Sequence, residues 1–256
     1  MKQESRSGRR FRRGASILPS LFTTGNLFLG FWAIVKTFNG QHAEAAPLLL
    51  WAIVLDALDG RIARLTGTTS EFGGELDSLA DAISFGVAPA LLVYSWGLSV
   101  VPRAGWLAAF LFVMCGSLRL ARFNVQRHVI DGRYFVGLPI PAAAGQLAAI
   151  VFFAPAPATD RTAAMTIIAL VVSLAFLMVS TLRYPSFKGV DLRRRRSYIN
   201  VVGIAVLFLM VALHPEWVLL LVASLYSLSA PTLHLIGLLR RRSGPPPPAL
   251  PEGHTV

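Results

Sequence analysis

The chain has 256 residues, 54% of them hydrophobic and 14% charged, with a mean hydropathy of +0.59. That balance excludes a single water-soluble core of ordinary composition. The net charge of +11 is the kind that binds nucleic acid, but the basic residues fall in short segments between apolar runs and lack interleaved aromatics, which is the pattern of a positive-inside membrane protein. The single cysteine, Cys115, lies inside an apolar run and has no partner for an internal disulfide. No Cys/His cluster points to zinc or iron, and the five histidines are scattered.

Residues 1–15 form a basic arm with Lys2, Arg6, Arg9, Arg10, Arg12 and Arg13, suited to anionic lipid on the cytoplasmic side. The apolar run from Ile17 to Phe38 exceeds the roughly 7–15 residues of a signal-peptide core. Despite the sequence AEA at Ala43 to Ala45, we read it as the first helix and not as a cleaved leader. A second run begins near Ala45 and carries Asp56 and Asp59 towards its end. A polar, glycine-bearing turn from about Leu65 to Glu75 leads to a third run, which starts with Asp77 and Asp81 and continues to about Gly97.

Further runs cover Ala104 to Ala121, Val136 to Pro155 with Pro139 and Pro141 near its start, Ala163 to Leu182, Ile199 to Leu213 and Trp217 to Leu239. The expectation is an all-α, polytopic membrane bundle of about eight transmembrane helices over residues 16–240, followed by a flexible Pro-rich tail at 241–256. In this topology all but Lys36, Arg103 and Arg161 of the 24 Lys and Arg fall on one side, which makes both termini and the four acids cytoplasmic. The run Arg193 to Arg196 then reads as a topogenic charge cluster in preference to a patch for an acidic ligand.

The acids are the costliest feature. An acid at the centre of a membrane helix opposes insertion by about 2.5–3.5 kcal/mol, less near the interface, and close carboxylates repel one another. Residues three or four apart share a helix face. Asp56 with Asp59 and Asp77 with Asp81 therefore form two faces that a short turn brings together. Something cationic must offset them, and an all-oxygen set favours a hard divalent ion such as Mg²⁺. Four carboxylates balance two such ions, a recurring arrangement for displacement at phosphorus. Gly60, Ala63, Gly73 and Gly74 leave room beside the acids for a ligand, although small residues are also common at plain helix contacts.

DALDGRIAR followed by GGELDSLAD matches the DxxDGxxAR…GxxxDxxxD signature of the CDP-alcohol phosphotransferases, with Asp56, Asp59, Gly60, Ala63, Arg64, Gly73, Asp77 and Asp81 in register. LRLARFNV at Leu118 to Val125 and FVGLPIPAAA at Phe135 to Ala144 resemble the phosphatidylserine synthase branch of that family. The resemblance covers about Ile17 to Gln146. One departure is Ser20 in LPSLFTTGN, where related enzymes often have asparagine.

The resemblance implies transfer of a phosphatidyl group from CDP-diacylglycerol to L-serine with release of CMP, in a homodimer at the cell membrane with its active site facing the cytoplasm. It implies Asp56, Asp59, Asp77 and Asp81 as ligands of two Mg²⁺ or Mn²⁺ ions, Asp81 also as general base, and Gly60, Ala63, Arg64 and Gly73 as donor-binding residues. Arg119, Arg122 and Asn124, at the cytoplasmic end of the fourth helix, are candidates for holding a phosphate or the serine carboxylate. The sequence equally allows the arginines to anchor a helix end. Asn26 faces the cavity or makes a helix-to-helix hydrogen bond, and both readings stay open. The alternatives are another acceptor, such as glycerol 3-phosphate, inositol or inositol phosphate, and an archaeal ether-lipid donor. A divalent-cation transporter fits less well, because the last three helices have no Asp, Glu, Lys or Arg in their apolar cores to continue a polar path.

Overall fold

The computed structural model describes residues 6–66, 71–126, 134–185 and 197–242. The first five residues of the basic arm, the Arg193 to Arg196 cluster, the tail from residue 243, and the side chains of Ser20, Ala63 and Arg64 lie outside what is described. The elements are α1 Arg6–Phe38, α2 His42–Thr66, α3 Glu71–Asp81, a π-helical segment Ala82–Val87, α4 Ala88–Trp96, α5 Pro102–Gln126, β1 Tyr134–Val136, α6 Ile140–Phe153, α7 Arg161–Val179, β2 Arg183–Pro185, α8 Ser197–Leu213 and α9 Pro215–Arg242. Since α3, the π segment and α4 run on as one rod, the described helices make eight rods. Five of these segments are long and apolar enough to cross a membrane: Leu21–Phe38, Glu71–Trp96, Pro102–Val125, Arg161–Val179 and Pro215–Ile236.

Large apolar side chains point outward along the rods, among them Phe31, Trp51, Phe110, Phe176 and Phe208. That surface is unfavourable in water and neutral against lipid tails, so the chain is a polytopic helical membrane protein. One end of the bundle is tied by His42 to Ser95 at 2.9 Å, by the Trp96 indole N–H donating to the carbonyls of Ala154 and Ala156, and by the edge-on contact of Phe153 with Trp217. Lys36, Arg103 and Arg161 all fall at this end, opposite the four acids, as the charge count requires. Lys36 pairs there with Glu44 at 2.6 Å.

Several expected boundaries move, each for a local reason. Glu71 to Glu75 are helical, so the turn between the acid-bearing helices is shorter than Leu65 to Glu75. The helix expected from Val136 starts only at Ile140. Gly137 stands at φ +78°, Pro139 caps the helix with extended ψ, and two prolines within three residues remove the N–H groups of a first turn. Tyr134–Val136 instead pairs antiparallel with Arg183–Pro185, Phe135 opposite Tyr184, in the one ribbon among the described residues of an otherwise helical fold. The same pairing ends α7 at Val179 instead of Leu182. At the other end of the chain, the expected basic arm is already helical from Arg6.

The core is built on small residues. In α6, Ala143, Ala144, Gly145, Ala148 and Ala149 are buried, and the helix lies against α2, α4, α7 and α9. Gly30 of α1 meets the π segment so closely that a Cβ there stands 2.7 Å from the Ser84 Cα and Cβ. The Ser84 hydroxyl donates to the Asn26 carbonyl at 3.1 Å across the same contact. Gly30→Leu is accordingly expected to destabilise the fold by about 1–3 kcal/mol through overpacking. A lowered unfolding midpoint in detergent checks this; an unchanged midpoint means the two helices part without cost.

Candidate active site

The acids come from two helices consecutive in the chain. Asp56 and Asp59 lie three apart near the end of α2, and Asp77 and Asp81 lie four apart at the start of the rod Glu71–Trp96. The structure brings Asp56, Asp59 and Asp77 together, with one carboxylate oxygen from each within 4.8 Å of the others. Asp81 is outside this trio but adjoins it, its side chain lying against that of Asp56. Asp59 and Asp81 are buried, while Asp56 and Asp77 are half-buried. The π segment begins directly after Asp81. Its wider turn rotates the acid-bearing face relative to the apolar faces of α4, a distortion frequently found at functional sites.

The first helix supplies the next layer. Thr23 donates to the Asp59 carboxylate at 3.1 Å, and the Asn26 amide donates to Asp81 at 3.4 Å. These residues are one helical turn apart, so one face of α1 reaches an acid on each of the other two helices. The Asn26 amide oxygen is buried without a hydrogen-bond partner. Of the two open readings of this residue, the contact with Asp81 places it at the acids. The Gly60 backbone N–H also reaches Asp59, and the space where a Gly60 side chain would stand is open.

Arg119 on α5 interacts electrostatically with Asp81, Asp56 and Tyr226, and its Nε is buried without a hydrogen-bond partner. Asn124, one to two turns further on, donates to the Ser78 hydroxyl at 2.9 Å, and Ser78 in turn donates to the Gly74 carbonyl at 3.0 Å. That ties α5 to the helix bearing Asp77. Arg122 is half-buried, and among the described residues no hydrogen bond joins it to the acids. Gly73 sits half-buried one turn before Asp77.

Thr23, Ser78 and Tyr226 are the neighbours that sequence reasoning missed. Thr23 carried a signal, its three-residue spacing from Asn26. Tyr226 carried none; it comes from α9 and packs its ring 5.7 Å from that of Tyr184, whose hydroxyl donates to the Ser227 carbonyl at 3.1 Å.

The residues present suit a divalent metal. The ion pair of Lys36 with Glu44 lies at the opposite end of the bundle from the carboxylates. Three converging carboxylate oxygens form a hard donor set, with the Thr23 hydroxyl and the Gly60 N–H beside Asp59 and the Asn26 amide on the neighbouring Asp81. Arg119 offsets part of the charge from a distance.

The model of the CDP-alcohol phosphatidyltransferase family matches residues 16–182. A Helicobacter pylori protein named CDP-diacylglycerol–serine O-phosphatidyltransferase is 42% identical over 175 residues, 68% of this chain and 74% of that protein. The Bacillus subtilis protein of the same name is 36% identical over 171 residues, 67% of this chain and 91% of its own length. An archaetidylserine synthase of Methanothermobacter thermautotrophicus is 39% identical over 174 residues, covering 67% of this chain and 71% of the relative. With the signature acids gathered at one end of a membrane bundle and the family model covering every helix that bears them, this chain belongs to the CDP-alcohol phosphatidyltransferase family.

Proposed function

We propose that the protein transfers the phosphatidyl group of CDP-diacylglycerol to the hydroxyl of L-serine, giving phosphatidylserine and CMP, at the cytoplasmic face of the plasma membrane. The observation that carries this reading is the convergence of Asp56, Asp59 and Asp77 within 4.8 Å, with Asp81 against Asp56, in a chain 42% identical to an enzyme named for that reaction.

Asp56, Asp59 and Asp77, with Asp81 at their edge, hold two divalent ions, Mg²⁺ or Mn²⁺. Bound there, such ions polarise the pyrophosphate and offset charge on the departing CMP. Thr23 and the Gly60 N–H fix the Asp59 carboxylate, and the Asn26 amide orients Asp81. Asp81 takes the proton of the serine hydroxyl as its oxygen attacks phosphorus, and the bond from phosphorus to the CMP oxygen breaks as the new ester forms. Direct attack requires no enzyme nucleophile. The open side of Gly60, with Ala63, Arg64 and Gly73, receives the donor's nucleotide and phosphates, and Arg119 receives the serine carboxylate, with Asn124 and Arg122 further out on the same helix.

A second donor has a specific observation in its favour: one relative is named archaetidylserine synthase, which keeps the same acceptor with an ether lipid. The test is CMP release by detergent-purified protein supplied with CDP-diacylglycerol or CDP-archaeol and Mg²⁺ or Mn²⁺. Serine, glycerol 3-phosphate and inositol are offered separately. Release is expected with serine alone, abolished by EDTA and restored by added metal. Release with another acceptor overturns the choice of serine, and activity surviving exhaustive chelation overturns the metal.

A further inference from the structure

A cavity of about 660 Å³ lies between α2, α6, α8 and α9, within the size range of small-ligand pockets. Its walls are apolar apart from one phenol. Pro47 and Val54 come from α2, Phe152 from α6, and Leu219, Ala223 and Tyr226 from α9. It runs lengthwise. Pro47 and Phe152 lie at the end far from the acids, whereas Val54 stands two residues before Asp56. On α9 the lining ends at Tyr226, the residue that interacts with Arg119 beside Asp56 and Asp81. From Pro215 to Tyr226 the axis of α9 rises about 16 Å.

The space is a groove open on its outer side, where Trp51, Val54 and Val222 are exposed, and its walls give a water nothing to bond. An occupant must be long and apolar, with its polar end at the acids. The lipid donor of the proposed reaction has that form, a hydrocarbon chain joined to a pyrophosphate. We propose that this cavity takes one acyl chain of the donor, and that α9, which lies beyond the residues 16–182 matched by the family, is the wall that sets the chain length accepted. This rests on the reading of the protein as a CDP-lipid transferase.

The groove positions the donor like a depth gauge: with the pyrophosphate at the carboxylates, chain carbons are counted off along α9. Ala223 lies one turn below Tyr226, and Leu219 one turn below that. Ala223→Phe shortens the groove and Leu219→Ala enlarges its far part. Neither residue belongs to the catalytic machinery.

Each variant is assayed for CMP release with serine and a series of CDP-diacylglycerols from dioctanoyl to dipalmitoyl and dioleoyl. Ala223→Phe is expected to raise KM for the dipalmitoyl donor at least about tenfold relative to the dioctanoyl donor, with kcat on the short donor retained. Leu219→Ala is expected to move the preference towards longer chains. Retained turnover of the short donor shows that the variant is folded; if Ala223→Phe is inactive on every donor, the length profile of Leu219→Ala decides. A profile parallel to wild type overturns the proposal and leaves the cavity to bulk lipid. Wild-type protein that releases no CMP from any donor refutes the transferase reading itself.

Discussion

Asp81→Asn is expected to lower turnover by about two to four orders of magnitude while donor binding stays measurable. Asp81 is 9% exposed and sits just outside the trio formed by Asp56, Asp59 and Asp77. Its position at the edge of the cluster, held by the Asn26 amide at 3.4 Å, leaves it able to take a proton as well as to meet a metal. Asparagine preserves the shape and can still meet Asn26 by presenting its oxygen to that donor. What it loses is basicity. Equilibrium binding of CDP-diacylglycerol to the variant, set beside its rate of CMP release, separates the two functions. Normal turnover in Asp81→Asn would place the base elsewhere.

Asp59→Ala is expected to fail differently, by losing metal-dependent donor binding altogether. It removes one of only three converging oxygens, and the Thr23 hydroxyl and Gly60 N–H that held the carboxylate are left without it. Weakening a neighbour of a metal ligand commonly costs about 10–100-fold in metal affinity, so loss of a ligand itself should exceed that. Titration of donor binding against Mn²⁺ makes the measurement. Thr23→Val offers an internal contrast, since it keeps the carboxylate and removes only its support, and a smaller shift in the same titration is expected. Retained activity of Asp59→Ala at unchanged metal dependence would remove Asp59 from the site.

The acids were legible because charge in an apolar run is expensive and because their three- and four-residue spacings have one geometric meaning on a helix. The polytopic helical class was legible for a similar reason, as hydrocarbon thickness sets a minimum length that five of the segments meet. Helix ends at Gly137, Pro139 and Ser180 were not, because the apolar run continues straight through the residues where backbone geometry stops. The π segment Ala82–Val87 has no residue-type signature, although it is where Ser84 meets Gly30. Thr23 and Ser78 were overlooked because hydroxyls are ordinary in membrane helices, where they bond their own backbone as readily as a neighbour. Tyr226 was beyond reach, since its nearness to Arg119 depends on how α9 returns across α6.

The shortness of α6 bears on how the protein is made. With 14 residues it rises about 21 Å, well under the roughly 30 Å of a bilayer core, and it carries a buried glutamine, Gln146, whose amide donates to Ser224 on α9. Such a segment is a poor candidate for independent insertion. It becomes comfortable in the bilayer only when α2 is already beside it and α9 has arrived to meet its glutamine, yet α9 is the last helix described and the last of these to be synthesised. Closure of α6 into the bundle is therefore expected to come late: a nascent chain halted before α9 would hold all four acids along its sequence and still present α6 to the insertion machinery as an unfinished surface.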